Sequence, residues 1–514
     1  MFQFISKNPI STFLGLCLLL SLTAGIFFNG QYLSENTTGF IVISLFLASC
    51  GRSLSEGLMT ILFALLYLVL YLAMGGNNLF LLFGTLGLVG FVIWQQRKSP
   101  DILFFALIFI SFLLHLNYIE STDVDTRQHD FNAIIHYMGY ITQGGFNFWD
   151  FNPWNMYYLF HQPLHFLIGG YFYQLCLFIW HSYPLAQELL QFVSLFYVTG
   201  IIIMTVKILR LFGFPRQAFY GAFILAAFNP SFFLFSGYIS DDAPALFWTI
   251  SSVYYLIKWY KDEAFRYLLL SAVCFGLGVL TKLSILMIAP IFVMLFLHKL
   301  YQRRYAGNII NAISLFIIIA VPLSLIWIVR NHFLYDMDFY NIPDTSPSGQ
   351  NFKYMTISER IFDFSFLGKP FIHSPLTNDS NMFLALVKTE LFGEWNLSLN
   401  HQIIVIPATI LYFLNIIIKI ATLLGCLFIL FKARKNTFLT VTFAVSYLII
   451  WGYSFKYAMD YPYSCSSDYR LFATMNLPEL VVLATLSQGK NISKVFLVVA
   501  LTFAVLSSFV YINL

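Results

Sequence analysis

The sequence predicts an all-α, polytopic helical membrane protein, a bundle of roughly 13 to 16 crossing helices. Three observations predict it. Apolar runs of about 18 or more residues, long enough to cross the hydrocarbon, recur along the chain. Hydrophobic residues make up 59% of the 514 and charged residues only 10%, where a soluble domain carries roughly 25% charge. The runs are solid rather than alternating, which argues against a membrane β-barrel.

Taken in order, spans are expected near 9–28, 38–50, 57–74, 78–95 and 102–118, then near 186–206, 217–236, 243–257, 267–281, 283–298 and 308–329. Spans near 402–431, 437–455, 477–487 and 494–513 finish the chain. The first is read as an uncleaved helix: Lys7 precedes its apolar run, but no small-residue cleavage site follows. This layout divides the chain into N-terminal helices (1–100), a core with its outer loop 119–165 (101–330), an outer-face loop or cap (331–400) and C-terminal helices (401–514).

Lys and Arg in short loops set the orientation. Lys7, Arg52, Arg97-Lys98, Lys258/Lys261/Arg266, Lys299 with Arg303-Arg304, and Lys432 to Lys435 are assigned to the cytoplasm. Segments 119–165, 330–400 and 456–476 then share the outer face of the plasma or inner membrane. A full crossing by 163–180 would leave Lys207, Arg210 and Arg216 outside. Pro163, Gly169 and Gly170 interrupt that segment, and it is read as lying in or re-entering the outer leaflet. The net charge of +4 is spread over loops and reports topology, not a nucleic-acid partner. The six cysteines are scattered without metal-type spacing.

Charge beside hydrocarbon is costly, so polar clusters locate the chemistry. The densest runs from Glu120 through Asp123, Asp125, Arg127, His129 and Asp130 to His136, followed by His161-Gln162-Pro163-Leu164-His165. Asp130 heads a run to Ile141 with apolar residues at helical spacing, an amphipathic helix for the membrane surface. An acidic residue there also fits a plain helix cap. A second cluster, Ser240-Asp241-Asp242, lies between two spans; paired carboxylates suit a hard divalent cation. No third metal ligand is identifiable, and no cofactor is assigned with certainty. Third, Lys282 interrupts two spans at their outer junction, where snorkelling is the plain alternative. Fourth, Asp468-Tyr-Arg470 lies near the C-terminus; Arg470 is suited either to grip phosphate or to pair with Asp468. Lys388, Glu390 and Glu394 are weaker candidates.

The order of these motifs resembles the GT-C glycosyltransferases. The likeness is greatest to the family 39 group, with the protein O-mannosyltransferases and the lipid A aminoarabinose transferase. In that group an acidic residue in the first large outer loop is followed by an amphipathic helix and then Pro-Pro-Leu-Tyr-Tyr. Here His129-Asp130, the helix to Ile141, and His161-Gln162-Pro163-Leu164-His165-Phe166 answer it over about residues 100 to 330. His129, Gln162 and His165 depart from the pattern and bear on substrate identity.

The resemblance implies a GT-C-like bundle moving a sugar from a polyprenyl-phosphate donor to a glycan, lipid or protein acceptor on the extracytoplasmic face. Asp130 is then the base. Arg127, His129, His136, His161, His165, Asp241, Asp242, Lys282, Asp468 and Arg470 line the substrate site, with Lys282 and Arg470 on the phosphate. Direct displacement would invert the anomeric centre. Two other classes fit a polar cavity in an apolar bundle. A glycan polymerase or ligase usually has its large polar loop late in the chain, and a transporter or flippase of lipid-linked sugars usually shows inverted repeats.

Overall fold

The computed structural model describes residues 102–128, 130–143, 152–155, 161–302, 307–337, 352–364, 380–395, 402–432 and 437–514, together with 54–73 and scattered positions between 40 and 91. Among these, 85% are helical and none is in a strand. Among the described residues seven helical stretches are long and apolar enough to cross a membrane, one of them the consecutive pair within Arg216–Gly237, and the chain is an integral membrane protein.

The helices are α1 (Leu54–Ala73), α2 (Ile102–Glu120), α3 (Phe131–Gln143), α4 (Leu164–Trp180), α5 (Tyr183–Phe212), α6 (Arg216–Ala227), α7 (Pro230–Gly237), α8 (Asp242–Asp262) and α9 (Phe265–Val279). They continue as α10 (Ala289–Gln302), α11 (Gly307–Tyr335), α12 (Ile357–Phe362), α13 (Met382–Phe392), α14 (Gln402–Phe431), α15 (Phe438–Asp460), α16 (Asn476–Leu486) and α17 (Lys490–Ile512). Tight 3₁₀ turns at Leu283–Ile288, Ser464–Ser467 and Tyr469–Met475 connect them near the site.

Central helices α5, α6 and α7 are apolar all round because they are walled in by others: 83% and 89% of their spanning windows are buried. Helix α5 packs on α8, α8 on α9, and α9 on α11; on the other side α6 meets α16 and α17. Close approach depends on small residues, as is usual for helices in lipid. At Gly200 of α5, a Cβ would come within 2.6 Å of the Phe247 ring of α8. At the rim, only 22% of the α11 window is buried, and Ile317, Ile318 and Val321 point outward as a lipid-facing surface requires.

Local chemistry sets the helix ends. Ser182 accepts from Leu185 N to start α5, which ends at Gly213 in the left-handed region (φ 69). Residues 217–236, expected as one span, break at Phe228-Asn229. Asn229 caps α7 by accepting from Ser231 N, with Pro230 at its first position. Residues 477–487, expected as a span, form the 11-residue α16, which rises only about 16 Å. Residues 331–335 extend α11, and within 380–395 α13 is buried along nearly its whole length.

The bundle has two chemically distinct ends. At one, Lys299 pairs with Glu263 (2.7 Å), and Lys261 donates to the Leu211 carbonyl at the C-terminus of α5. At the other, Glu188 in the first turns of α5 accepts from Val124 N, and Leu164 N at the start of α4 donates to Leu280 O at the end of α9. Helix α4 therefore begins and ends at the same end of the bundle and does not carry the chain across. Lys207 and Arg210, near the C-terminus of α5, consequently fall at the end that holds Lys261 and Lys299.

Candidate active site

Three segments far apart in sequence converge at that second end. The turn Tyr238–Asp241 leaves α7 in extended form, and its backbone polar groups are satisfied by side chains from other elements. Ser194 of α5 donates to Tyr238 O. Gln128 donates to Gly237 O (2.5 Å) and accepts from Ile239 N (3.1 Å), and His165 Nε2 sits 2.8 Å from Ile239 O. Gln128, in the loop after α2, and α4 are thus fastened to the residues just ahead of the carboxylate pair.

Asp241 and Asp242 open α8, where the helix dipole favours negative charge. Both are buried, and Ser240 donates to Asp242 Oδ2 (2.8 Å). Lys282, between α9 and the following 3₁₀ turn, reaches Asp241 Oδ1 at 2.8 Å and Asp242 Oδ1 at 2.5 Å. Burial disfavours its ammonium, but the two carboxylates outweigh this and hold its pKa above the ordinary lysine value. Lys282 therefore turns inward to a paired charge rather than snorkelling outward.

The segment Ser464–Met475 supplies the other cation. Asp468 accepts from Arg470 N (3.1 Å) and from Arg470 Nε (2.8 Å), while Arg470 Nη1 stands 3.8 Å from Asp242 Oδ2. Burial raises the Asp468 pKa against the pull of Arg470. Thr389 of α13 fixes this segment by accepting from Tyr469 N (2.9 Å). His161 completes the group, its Nδ1 3.8 Å from Asp241 Oδ2. Its surroundings of protein hold its pKa down, to about 4, so the ring is neutral at pH 7. Tyr137 of α3 donates to the His161 carbonyl (3.0 Å).

Of the residues singled out in the sequence, His161, Asp241, Asp242, Lys282, Asp468 and Arg470 come together, with His165 one turn behind them. Asp130 is exposed at the head of α3, and the described contacts join its carboxylate to none of these groups. Its backbone is left-handed (φ 56), as is that of Arg127 (φ 57), conformations that store strain in a non-glycine residue. Arg127 Nη1 lies 3.5 Å from the Tyr118 hydroxyl, and His136 is exposed on α3. His129 falls outside the described residues.

Two features escaped the sequence reading. Gln128 and Tyr137 are not among the residues singled out there, yet the one holds the turn ahead of the carboxylate pair and the other the His161 carbonyl. Asp241 Oδ2 is a third element of the geometry: buried, with no hydrogen bond, and directed toward His161. The metal expectation for Asp241 and Asp242 meets an obstacle, since Lys282 already bonds both carboxylates. Among the described residues no group of three or more His, Cys, Asp or Glu side chains is arranged to hold a metal ion.

No curated protein matches the chain. A family model does, over the segment from α5 to the end of α11, which carries Asp241, Asp242 and Lys282 but neither the loop that holds Asp130 nor Arg470. Over residues 187–335, under a third of its length, the chain matches the PMT family, dolichyl-phosphate-mannose-protein mannosyltransferase, a GT-C family that implies a membrane glycosyltransferase using a lipid-linked sugar donor.

Proposed function

We propose that the chain transfers a sugar from a polyprenyl-phosphate carrier to an acceptor hydroxyl on the extracytoplasmic face, with inversion at the anomeric carbon. The observation that carries this is the convergence of His161, Asp241-Asp242, Lys282 and Asp468-Arg470 at one end of an otherwise apolar bundle. A polyprenyl donor presents an apolar tail and a phosphate held at the membrane boundary. Lipid-facing helices beside a paired-cation site match both.

In this reading the acceptor oxygen attacks the anomeric carbon, the carbon–oxygen bond to phosphate breaks, and its electron pair leaves with the phosphate. Lys282 and Arg470 stabilise the growing negative charge, with a larger effect on the transition state than on the bound donor. Asp241 Oδ2, buried and without a donor, is set to accept from a sugar hydroxyl. His161, neutral, bonds the sugar rather than the phosphate. Asp130 takes the acceptor proton as general base; the strained loop that presents it is fastened by Gln128 to the carboxylate turn. Because Lys282 already bonds both carboxylates, no step is routed through a metal. The family name makes a mannosyl donor and a protein acceptor the first pair to try; glycan and lipid acceptors follow.

The test is transfer by the purified protein in lipid nanodiscs, reading release of polyprenyl phosphate from mannosyl-phosphoryl polyprenol and gain of sugar on the acceptor. Wild-type protein should release the carrier only when the acceptor is present, and Asp130→Asn should abolish release while unfolding at the wild-type temperature. Normal turnover by that variant removes the base assignment. Failure of any polyprenyl-phosphate hexose or pentose to be consumed removes the transferase reading itself.

A further inference from the structure

A second charged group lies inside the bundle and has no role in the transfer chemistry. Lys419, midway along α14, bonds Glu390 Oε2 of α13 at 2.7 Å and Glu479 Oε2 of α16 at 2.5 Å. Glu390, Lys419, Glu479 and Asn476 are each under 4% exposed. Beside them is a cavity of about 20 Å³ whose polar lining is Asn229, Glu390, Asn415, Asn476 and Glu479. That is room for about one water, which needs roughly 10–15 Å³ by this measure.

The two carboxylates are treated unequally. Glu390 accepts from Asn229 Nδ2 at 3.1 Å on Oε1, and from Asn415 Nδ2 (2.9 Å) and Lys419 on Oε2. Three donors, one of them charged, are what an ionised carboxylate requires. Glu479 has Lys419 on Oε2 and no donor at all on Oε1, and Asn476 Oδ1 is likewise without a donor. Both of these residues line the cavity. Were both glutamates ionised, one negative charge would stay uncompensated among apolar helices, at a large desolvation cost. The other titratable groups near enough to feel Glu479 are Cys426, Tyr447 and Tyr469, none of which supplies positive charge.

We propose that this cavity binds one water and one proton: Glu479 is a neutral carboxylic acid whose Oε1–H donates to the water, the water donates to Asn476 Oδ1, and Glu390 is the ionised partner of Lys419. The arrangement satisfies both orphaned oxygens and leaves the Glu390–Lys419–Glu479 cluster electrically neutral. It docks α13 and α16 against α14 without a net buried charge, and it stands independently of the transfer reading.

Infrared spectroscopy and thermal unfolding of the full-length protein in nanodiscs test it. The wild-type spectrum at neutral pH should contain a carboxylic-acid carbonyl band that shifts in heavy water and is absent from Glu479→Gln. That variant, the neutral isostere, should unfold at the wild-type temperature, whereas Glu390→Gln should unfold well below it. In Asn476→Leu the band should persist but move to higher frequency, because the water loses its acceptor and its bond to Glu479 weakens. The proposal is overturned if wild type and Glu479→Gln have identical carbonyl bands, or if Glu479→Gln fails to fold or is as damaging as Glu390→Gln. An unshifted band in Asn476→Leu overturns the water.

Discussion

At the scale of single residues, the ion pairs around Lys282 determine what its removal does. Lys282→Met deletes a cation aimed at the donor phosphate and also strands two buried carboxylates. Turnover should fall by roughly 10²–10³-fold, the effect of losing one electrostatic stabiliser, and stability by about 3–5 kcal/mol, the usual result of breaking a buried pair from one side. Adding Asp241→Asn and Asp242→Asn should restore the unfolding temperature but not the rate; a triple variant that regained turnover would show that Lys282 serves only to neutralise its neighbours. His161 gives a pH signature. Its pKa is held at about 4, below the ordinary histidine value of about 6.5. Between these values the unfolded chain binds the proton more readily, so stability should fall as the pH drops through that window. His161→Gln should flatten this part of the stability profile, and an unchanged slope would mean that the ring titrates normally. Legibility at this scale was uneven. Asp241, Asp242, Lys282 and Arg470 stood out because each interrupts apolar sequence, yet their pairing across 40 or more positions did not. Lys419 and Glu479 lie within expected spans with no motif around them, although an ionisable group inside a membrane segment is itself a signal.

Among the elements, α3 and α4 form the part most open to a directed test. Gly169 and Gly170 looked in the sequence like interruptions of an apolar run, but α4 is continuous through them. They serve close packing: a Cβ on Gly170 would lie 2.9 Å from the Met138 carbonyl and 2.7 Å from Thr142 Cγ2 of α3. A backbone carbonyl cannot swing aside as a side chain can, so Gly170→Val should lift α3, and with it the strained turn at Asp130. Transfer should be lost while most of the thermal stability remains, since the core of the bundle lies elsewhere. Full activity in that variant would separate the seat of α3 from the chemistry. The apolar patterns gave α14 at its observed C-terminus, Phe431, and α3 to within two residues. The span expected over 217–236 is present as the apolar stretch Arg216–Gly237, but its break at Phe228-Asn229 is marked only by the cap, because hydropathy continues across it. The patterns failed at α13, whose Lys388 and Glu390 disguise a buried helix as polar loop.

For the whole molecule, the separation of chemistry between the two ends of the bundle predicts its topology. Lys207, Arg210, Lys261, Arg266 and Lys299 gather at one end, and the positive-inside bias assigns that end to the cytoplasm. The paired-cation site and the outer loop lie at the other end, where a lipid-linked sugar would be used on the extracytoplasmic side. Solvent exposure decides which positions can report on this: Ser467, though in a segment expected on the outer face, is 4% exposed and would not react from either side. Thr126 and Lys353 are exposed near the site, and Gln302 is exposed at the opposite end. In a cysteine-free background, single cysteines at Thr126 and Lys353 should react with an impermeant maleimide on intact cells. One at Gln302 should react only after the membrane is permeabilised. The reverse pattern would invert the molecule and put the transfer site in the cytoplasm, where a nucleotide-activated sugar would become the more natural donor. Labelling of Thr126 without Lys353 would instead separate the segment around α12 from the end that holds the site.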